Sequence, residues 1–114
     1  MKIHYIEIVT PDVESTCARY AKLHGATFAN PDPFLGGART AEFANGGLMG
    51  IRPPLRDDEA PVVRHYVLVD DIEETVKQAE ESGALVALPP MELPGHGTCA
   101  IVIQNGFETG FWQL

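Results

Sequence analysis

The chain is expected to adopt an α+β fold built from two tandem βαβββ modules, giving eight strands and two helices. Three observations carry this expectation. The stretch YIEIVTPDVESTCARYAKLHG, from Tyr5 to Gly25, reads as strand, turn, helix and stop. The chain then repeats itself: Asp12-Val13-Glu14-Ser15-Thr16 returns as Asp71-Ile72-Glu73-Glu74-Thr75, and His24-Gly25-Ala26 as Ser82-Gly83-Ala84. Later features recur in the same order, Asn45-Gly46 as Asn105-Gly106 and Gly50 as Gly110. A repeat spanning half the chain means two copies of one supersecondary unit rather than an array.

The first strand is expected over residues 3–9, with Tyr5 and Glu7 on one face and His4, Ile6 and Ile8 on the other. Both faces are largely apolar, which points to burial on both sides. Thr10 is placed to cap a helix with Pro11 at its first position, where a missing N–H costs nothing. Val13, Cys17, Tyr20 and Leu23 or His24 form the apolar stripe, and Gly25 stops the helix. Short strands follow over 26–29, 39–44 and 48–52, separated by a Pro- and Gly-rich loop and the Asn45-Gly46-Gly47 turn.

The charged segment 55–61, LRDDEAP, reads as the linker between modules spanning about 1–54 and 62–114 of a single 1–114 domain. The second module starts with a strand over 62–69. Asp70 with Glu73 makes a capping-box arrangement, with Ile72, Val76 and Ala79 as the buried stripe and Gly83 as the stop. Strands are then expected over 84–88, 98–104 and 109–114, with a long loop, PPMELPGHG, over 89–97.

Composition bounds the function. The chain has 114 residues, 45% of them hydrophobic, enough for one real core. A net charge of −8 argues against nucleic acid and anionic membranes as partners. No apolar run reaches the ~18 residues that span a bilayer, and MKIHYIEIVT lacks the apolar region of a signal peptide. The expected location is therefore the cytoplasm. Cys17 and Cys99 lie in no CxxC pattern and read as reduced, partly buried thiols.

The signatures YIEIVTPDVESTCARYAKLHGA and HYVLVDDIEETVKQAEESGA, with the terminal GFETGFWQL, resemble the vicinal oxygen chelate superfamily. That group includes glyoxalase I, bleomycin-resistance proteins and extradiol dioxygenases. The resemblance implies curved mixed sheets enclosing a cavity, and usually a homodimer. It also implies a divalent metal held in the cup by residues from the first and last strands of each module, acting as a Lewis acid.

Tested residue by residue, this chain departs from that ligand set. Counted back from the aspartate that opens each helix, the superfamily position falls on Tyr5 rather than His4, and on Arg64 rather than His65. Neighbouring residues on a strand face opposite ways. No carboxylate lies between Gly46 and Leu55, and the usual glutamate of the last strand is Gln113. The expectation is no metal and no cofactor. A one-residue difference in strand register would bring His4, His65 and Gln113 into the cup and restore a metal reading.

What the cup is expected to hold is Tyr5 and Glu7 from the first strand, Arg64 and Tyr66 from the second module's first strand, and Phe111 and Gln113 from the last. Trp112 is expected to turn away, and Arg52 to lie on an outer face with it or at a subunit contact. Glu7 is the candidate catalytic residue, as a general base or acid, because a glutamate among Ile, Tyr and Val is costly to bury without a purpose. A structural pair with Arg64 or a tyrosine accounts for it equally well. His96, flanked by Gly95 and Gly97, is a candidate ligand contact on a mobile loop.

The function expected is therefore binding of a small organic molecule, with or without chemistry, in the glyoxalase, bleomycin-resistance and dioxygenase-like group. A metal-dependent lyase, isomerase or dioxygenase is the first alternative. A drug-sequestering resistance protein is the second, and the acidic balance suits a cationic drug.

Overall fold

The computed structural model describes all 114 residues and divides them into two compact units, Tyr5–Val63 and Met1–His4 with Arg64–Leu114. The first unit carries most of β1 (Ile3–Val9), helix α1 (Val13–His24), a 3-10 turn (Pro33–Leu35), β2 (Arg39–Glu42) and β3 (Leu48–Arg52). The second carries most of β4 (Val62–Leu68), helix α2 (Ile72–Glu81), β5 (Leu85–Leu93), β6 (Gly97–Gln104) and β7 (Phe107–Gln113). The α+β class stands as expected.

In the first unit the strand order is β2-β3-β1. β1 runs parallel to β3 with Glu7 opposite Gly50 and Val9 opposite Arg52, and β2 runs antiparallel to β3. Ile8 and Ile51 pack beneath Cys17 of α1, with Val13, Tyr20, Phe28 and Met49 around them. Side chains alternate along a strand, so Ile8 facing the helix sends Tyr5, Glu7 and Val9 to the opposite face. Leu23 and His24 do not complete the helix stripe; both are exposed.

The helix begins later than its sequence suggests. Its N-cap is Asp12 rather than Thr10, and the Thr10 hydroxyl instead accepts the Asp12 N–H at 3.1 Å. Gly25, at φ 68°, closes the helix in the left-handed region that glycine tolerates best. In α2 the cap is also later than expected, at Asp71 rather than Asp70, with the Asp71 carboxylate accepting from the Glu74 N–H at 3.1 Å.

Two strand expectations are corrected. Residues 26–29 form no strand, so there are seven strands and not eight. The Arg39 guanidinium takes the carbonyls of Ala29 at 3.0 Å and Phe28 at 3.5 Å, and a single Ala29 N–H to Thr40 carbonyl bond of 2.8 Å replaces a ladder. Arg39 also grips both carboxylate oxygens of Glu14 at 3.0 Å, tying this segment to α1.

The second correction lies in the second unit, ordered β4-β7-β6-β5. β5 does not stop near Leu88 but continues through Pro89 and Pro90 to Leu93. Proline, lacking an N–H, survives in a sheet only at edges and bulges. β5 is the outer strand of its unit, and its register to β6 shifts twice, between Val86 and Leu88 and between Leu88 and Met91. The same features hinder pairing of this edge with another chain. The core here is Ile72, Val76 and Ala100, with Val69, Val86 and Phe111 packed against them. The β6–β7 hairpin turns on Asn105-Gly106, at φ 56° and 85°, the positive pair that a two-residue type I′ turn requires.

Candidate ligand site

In the first unit, the face of β1 and β3 away from α1 carries a buried polar cluster. Tyr5 is 2% exposed, Glu7 8% and Arg52 6%. The register explains the assembly: Glu7 lies opposite Gly50, so the glycine leaves room for a large side chain from the neighbouring strand. Tyr5 fills that room, and a Cβ on Gly50 would overlap its hydroxyl. Arg52, two residues further along β3, returns to the same face.

The Arg52 guanidinium makes four hydrogen bonds. Its Nε donates to Glu7 Oε2 at 2.7 Å, its Nη1 to Glu59 Oε1 at 2.9 Å and to the Pro53 carbonyl at 3.1 Å, and its Nη2 to Glu59 Oε2 at 2.9 Å. Burial opposes the Arg52 charge, but its hydrogen bonds to Glu59 and Glu7 outweigh this and hold the guanidinium protonated more firmly than usual. Hydrogen bonding to Arg52, aided by the Leu55 N–H, lowers the Glu59 carboxyl to about 2. Burial, with the Glu7 charge adding to it, raises the Tyr5 hydroxyl well above its ordinary value, so it remains a neutral phenol. On this face the Glu7 side chain, bonded to the Arg52 guanidinium, lies beside the Tyr5 phenol.

The second unit builds the same positions from different chemistry. Tyr66 lies opposite Gly110, and its ring occupies the space a Cβ there would need. Trp112 meets Tyr66 edge-on with ring centroids 5.6 Å apart, and the His4 ring at 5.3 Å. The Trp112 Nε1–H donates to the His96 carbonyl at 2.9 Å. Arg64, 9% exposed, donates through Nε to Glu108. Burial, and then the Lys2 charge, make His4 harder to protonate than usual.

Of the expected site residues, Tyr5 and Glu7 share one buried face in the first unit, and Arg64 and Tyr66 share one in the second. Phe111 and Gln113 do not join Tyr66. Phe111 packs on the α2 core, and Gln113 Oε1 accepts the Ile72 N–H at 2.8 Å at the start of that helix. Trp112, expected to turn away, is the residue on the Tyr66 face and is 2% exposed. Arg52 is likewise no outer-face residue. The pairing of Leu68 with Trp112 and Tyr66 with Gly110 sets this parity. His96 is half-buried in the turn between β5 and β6, where its carbonyl anchors Trp112.

Arg52, Glu59 and Trp112 were not named as site residues from sequence. The repeat held a usable signal, since Arg52 and Trp112 follow Gly50 and Gly110 at the same spacing and so share the tyrosine face. Glu59 gave none, because it reaches Arg52 from an irregular segment.

The superfamily's metal does not fit the residues at its positions. Tyr5 is a neutral phenol packed over Gly50, and Arg64 is a cation paired to Glu108. No three His, Cys, Asp or Glu side chains converge as a metal-binding group.

No family profile matches the chain, and no curated sequence does. Solved structures do. A hypothetical protein, BH1468, from Bacillus halodurans C-125 superimposes with a TM-score of 0.80 at 15% identity, covering 99% of this chain and 94% of that one. A variant of Streptomyces coelicolor methylmalonyl-CoA epimerase bound to 2-nitronate-propionyl-CoA gives 0.72 at 17% identity, covering 99% and 96%. Mycobacterium tuberculosis methylmalonyl-CoA epimerase gives 0.73 at 12% identity, covering 97% and 86%. The chain thus has the vicinal oxygen chelate fold, to which these epimerases belong. At such identities the likeness defines the fold and leaves the activity to the site.

Proposed function

We propose that this protein binds a small organic molecule on the Tyr5–Glu7 face of β1, through hydrogen bonds to Glu7 and Tyr5 rather than through a divalent metal. The observation that carries this is the buried Glu7 carboxylate, fixed by Arg52 Nε at 2.7 Å next to a phenol kept protonated. Carboxylate and phenol together suit a hydroxyl- or amide-bearing ligand, because each such group can donate to one and accept from the other. If a reaction occurs, Glu7 is the group positioned to take a proton from the ligand.

The epimerases of the same fold act on methylmalonyl-CoA. A coenzyme A thioester is a polyanion, and a chain of net charge −8 repels it at long range. A compact ligand without phosphates fits this chain better. The protein is proposed to act in the cytoplasm as a homodimer, in which exposed apolar side chains such as Leu85 and Met91 become covered.

A thermal-shift screen in the presence of chelator tests the reading. The compounds are neutral hydroxylated and amide-bearing molecules, a cationic glycopeptide and a coenzyme A thioester. Stabilisation by the first group, lost in Glu7→Gln, is the result expected. Stabilisation by the thioester alone, or only after a divalent metal is restored, overturns it.

A further inference from the structure

Residues 53–61 leave β3 immediately after Arg52 and lie on the surface, with only Pro54 and Glu59 less than exposed. The ion pair within this segment, Arg56 to Asp58 at 2.8 Å, is itself open to water, with side chains 72% and 82% exposed. Glu59 differs, with a side chain only 13% exposed. Both its oxygens meet the two terminal nitrogens of Arg52 at 2.9 Å, and its Oε1 also accepts the Leu55 N–H at 2.7 Å.

Parallel two-pronged bonding is how a guanidinium recognises a free carboxylate. The Arg52 fork is held in place for this independently of Glu59. Its Nε is fixed by Glu7, its Nη1 by the Pro53 carbonyl, and its Cδ lies against Gly36, where a Cβ would come within 2.9 Å. A ligand carboxylate in place of Glu59 leaves Arg52 with the same number of carboxylate partners, while the displaced Glu59 moves out toward solvent.

We propose that Arg52 is a carboxylate-binding residue whose site is filled by the chain's own Glu59, and that residues 55–61 form a strap that a ligand carboxylate displaces. This rests on the reading above in placing the ligand beside Glu7, and it adds a substrate class: compact organic acids that carry a hydroxyl or amide near the carboxylate. Glu59 then acts as a tethered competitor. Its high effective concentration weakens apparent affinity and rejects acids that do not also engage Glu7 and Tyr5. Release of Glu59 frees the strap, whose remaining contacts are largely solvent-exposed.

The test uses acetate and formate alone, compared with chloride at matched ionic strength, on wild type and Glu59→Ala. The variant is expected to melt lower than wild type and to be restored by acetate, with an apparent affinity about tenfold or more tighter than wild type shows. In wild type, acetate is expected to speed amide exchange over residues 55–60. A Glu59→Ala protein that responds equally to acetate and chloride overturns the proposal, as does one with the wild-type acetate affinity. Should that variant not fold, Glu59→Gln, which keeps an acceptor for the Leu55 N–H, takes the same comparison. Acetate reads Arg52 alone, so its failure is distinguishable from failure of the organic-ligand screen, which reads Glu7.

Discussion

Arg52 Nε donates to Glu7 Oε2 across 2.7 Å between β3 and β1, with both side chains buried. The equivalent positions of the other module hold Trp112 and Tyr66, meeting edge to face at 5.6 Å. The repeat has kept a cross-strand contact beside a glycine and changed its nature from ionic to aromatic. A buried ion pair gives up hydration that an aromatic pair never had, so it is no better a source of stability.

Removing Arg52 leaves Glu7 and Glu59 in place without their guanidinium. Arg52→Met is expected to cost about 3–5 kcal/mol in a urea titration, the usual penalty for breaking a buried pair from one side. Glu7→Gln, which keeps an acceptor for Arg52 Nε, is expected to cost clearly less.

Gly50 and Gly110 make room for Tyr5 and Tyr66. Gly50→Ala and Gly110→Ala are each expected to destabilise by about 1–3 kcal/mol through overpacking. Adding Tyr5→Val should relieve Gly50→Ala in a double-mutant cycle and leave Gly110→Ala unrelieved, because the atoms met at Gly110 belong to the Tyr66 ring.

The Glu59 carboxyl sits at about 2 in the fold against 4.5 ordinarily, held down chiefly by Arg52. Its stabilising contribution is therefore complete above about pH 4.5 and is lost as pH falls from there toward about 2. Urea midpoints across that window should fall less steeply for Glu59→Gln than for wild type.

His4 takes the opposite charge type through the same linkage. Its fold-lowered pKa means the unfolded chain binds the proton first, so stability falls as pH drops below about 6.5. Trp112, the only tryptophan and in contact with His4, provides the signal. The loss in urea midpoint between pH 7.5 and 5.5, followed by Trp112 fluorescence, should shrink in His4→Gln.

Both helices and the Asn105-Gly106 hairpin were legible because repeat, periodicity and turn chemistry agreed there. The 26–29 strand was not, because Arg39, distant in sequence, takes the carbonyls a ladder would use. The extension of β5 through Pro89-Pro90 was hidden because proline breaks most strands but not an edge one. At the candidate site, counting back from Asp12 and Asp71 put Tyr5, Glu7, Arg64 and Tyr66 on the faces away from the helices. The last strand was read one residue out of phase, which exchanged Trp112 for Phe111 and Gln113. The Gly50–Gly110 equivalence would have corrected it. Glu59 lies in a segment without periodicity, and only the folded chain brings it to Arg52.

The most direct measurement is a calorimetric titration of the tightest compound from the screen into chelator-treated wild-type protein and into Glu7→Gln. Full binding to the chelated wild type, weakened about tenfold or more in the variant, is the outcome predicted; removal of a hydrogen bond to a charged partner costs about this much. Binding that vanishes on chelation and returns with a divalent ion, or that Glu7→Gln leaves untouched, would contradict the account.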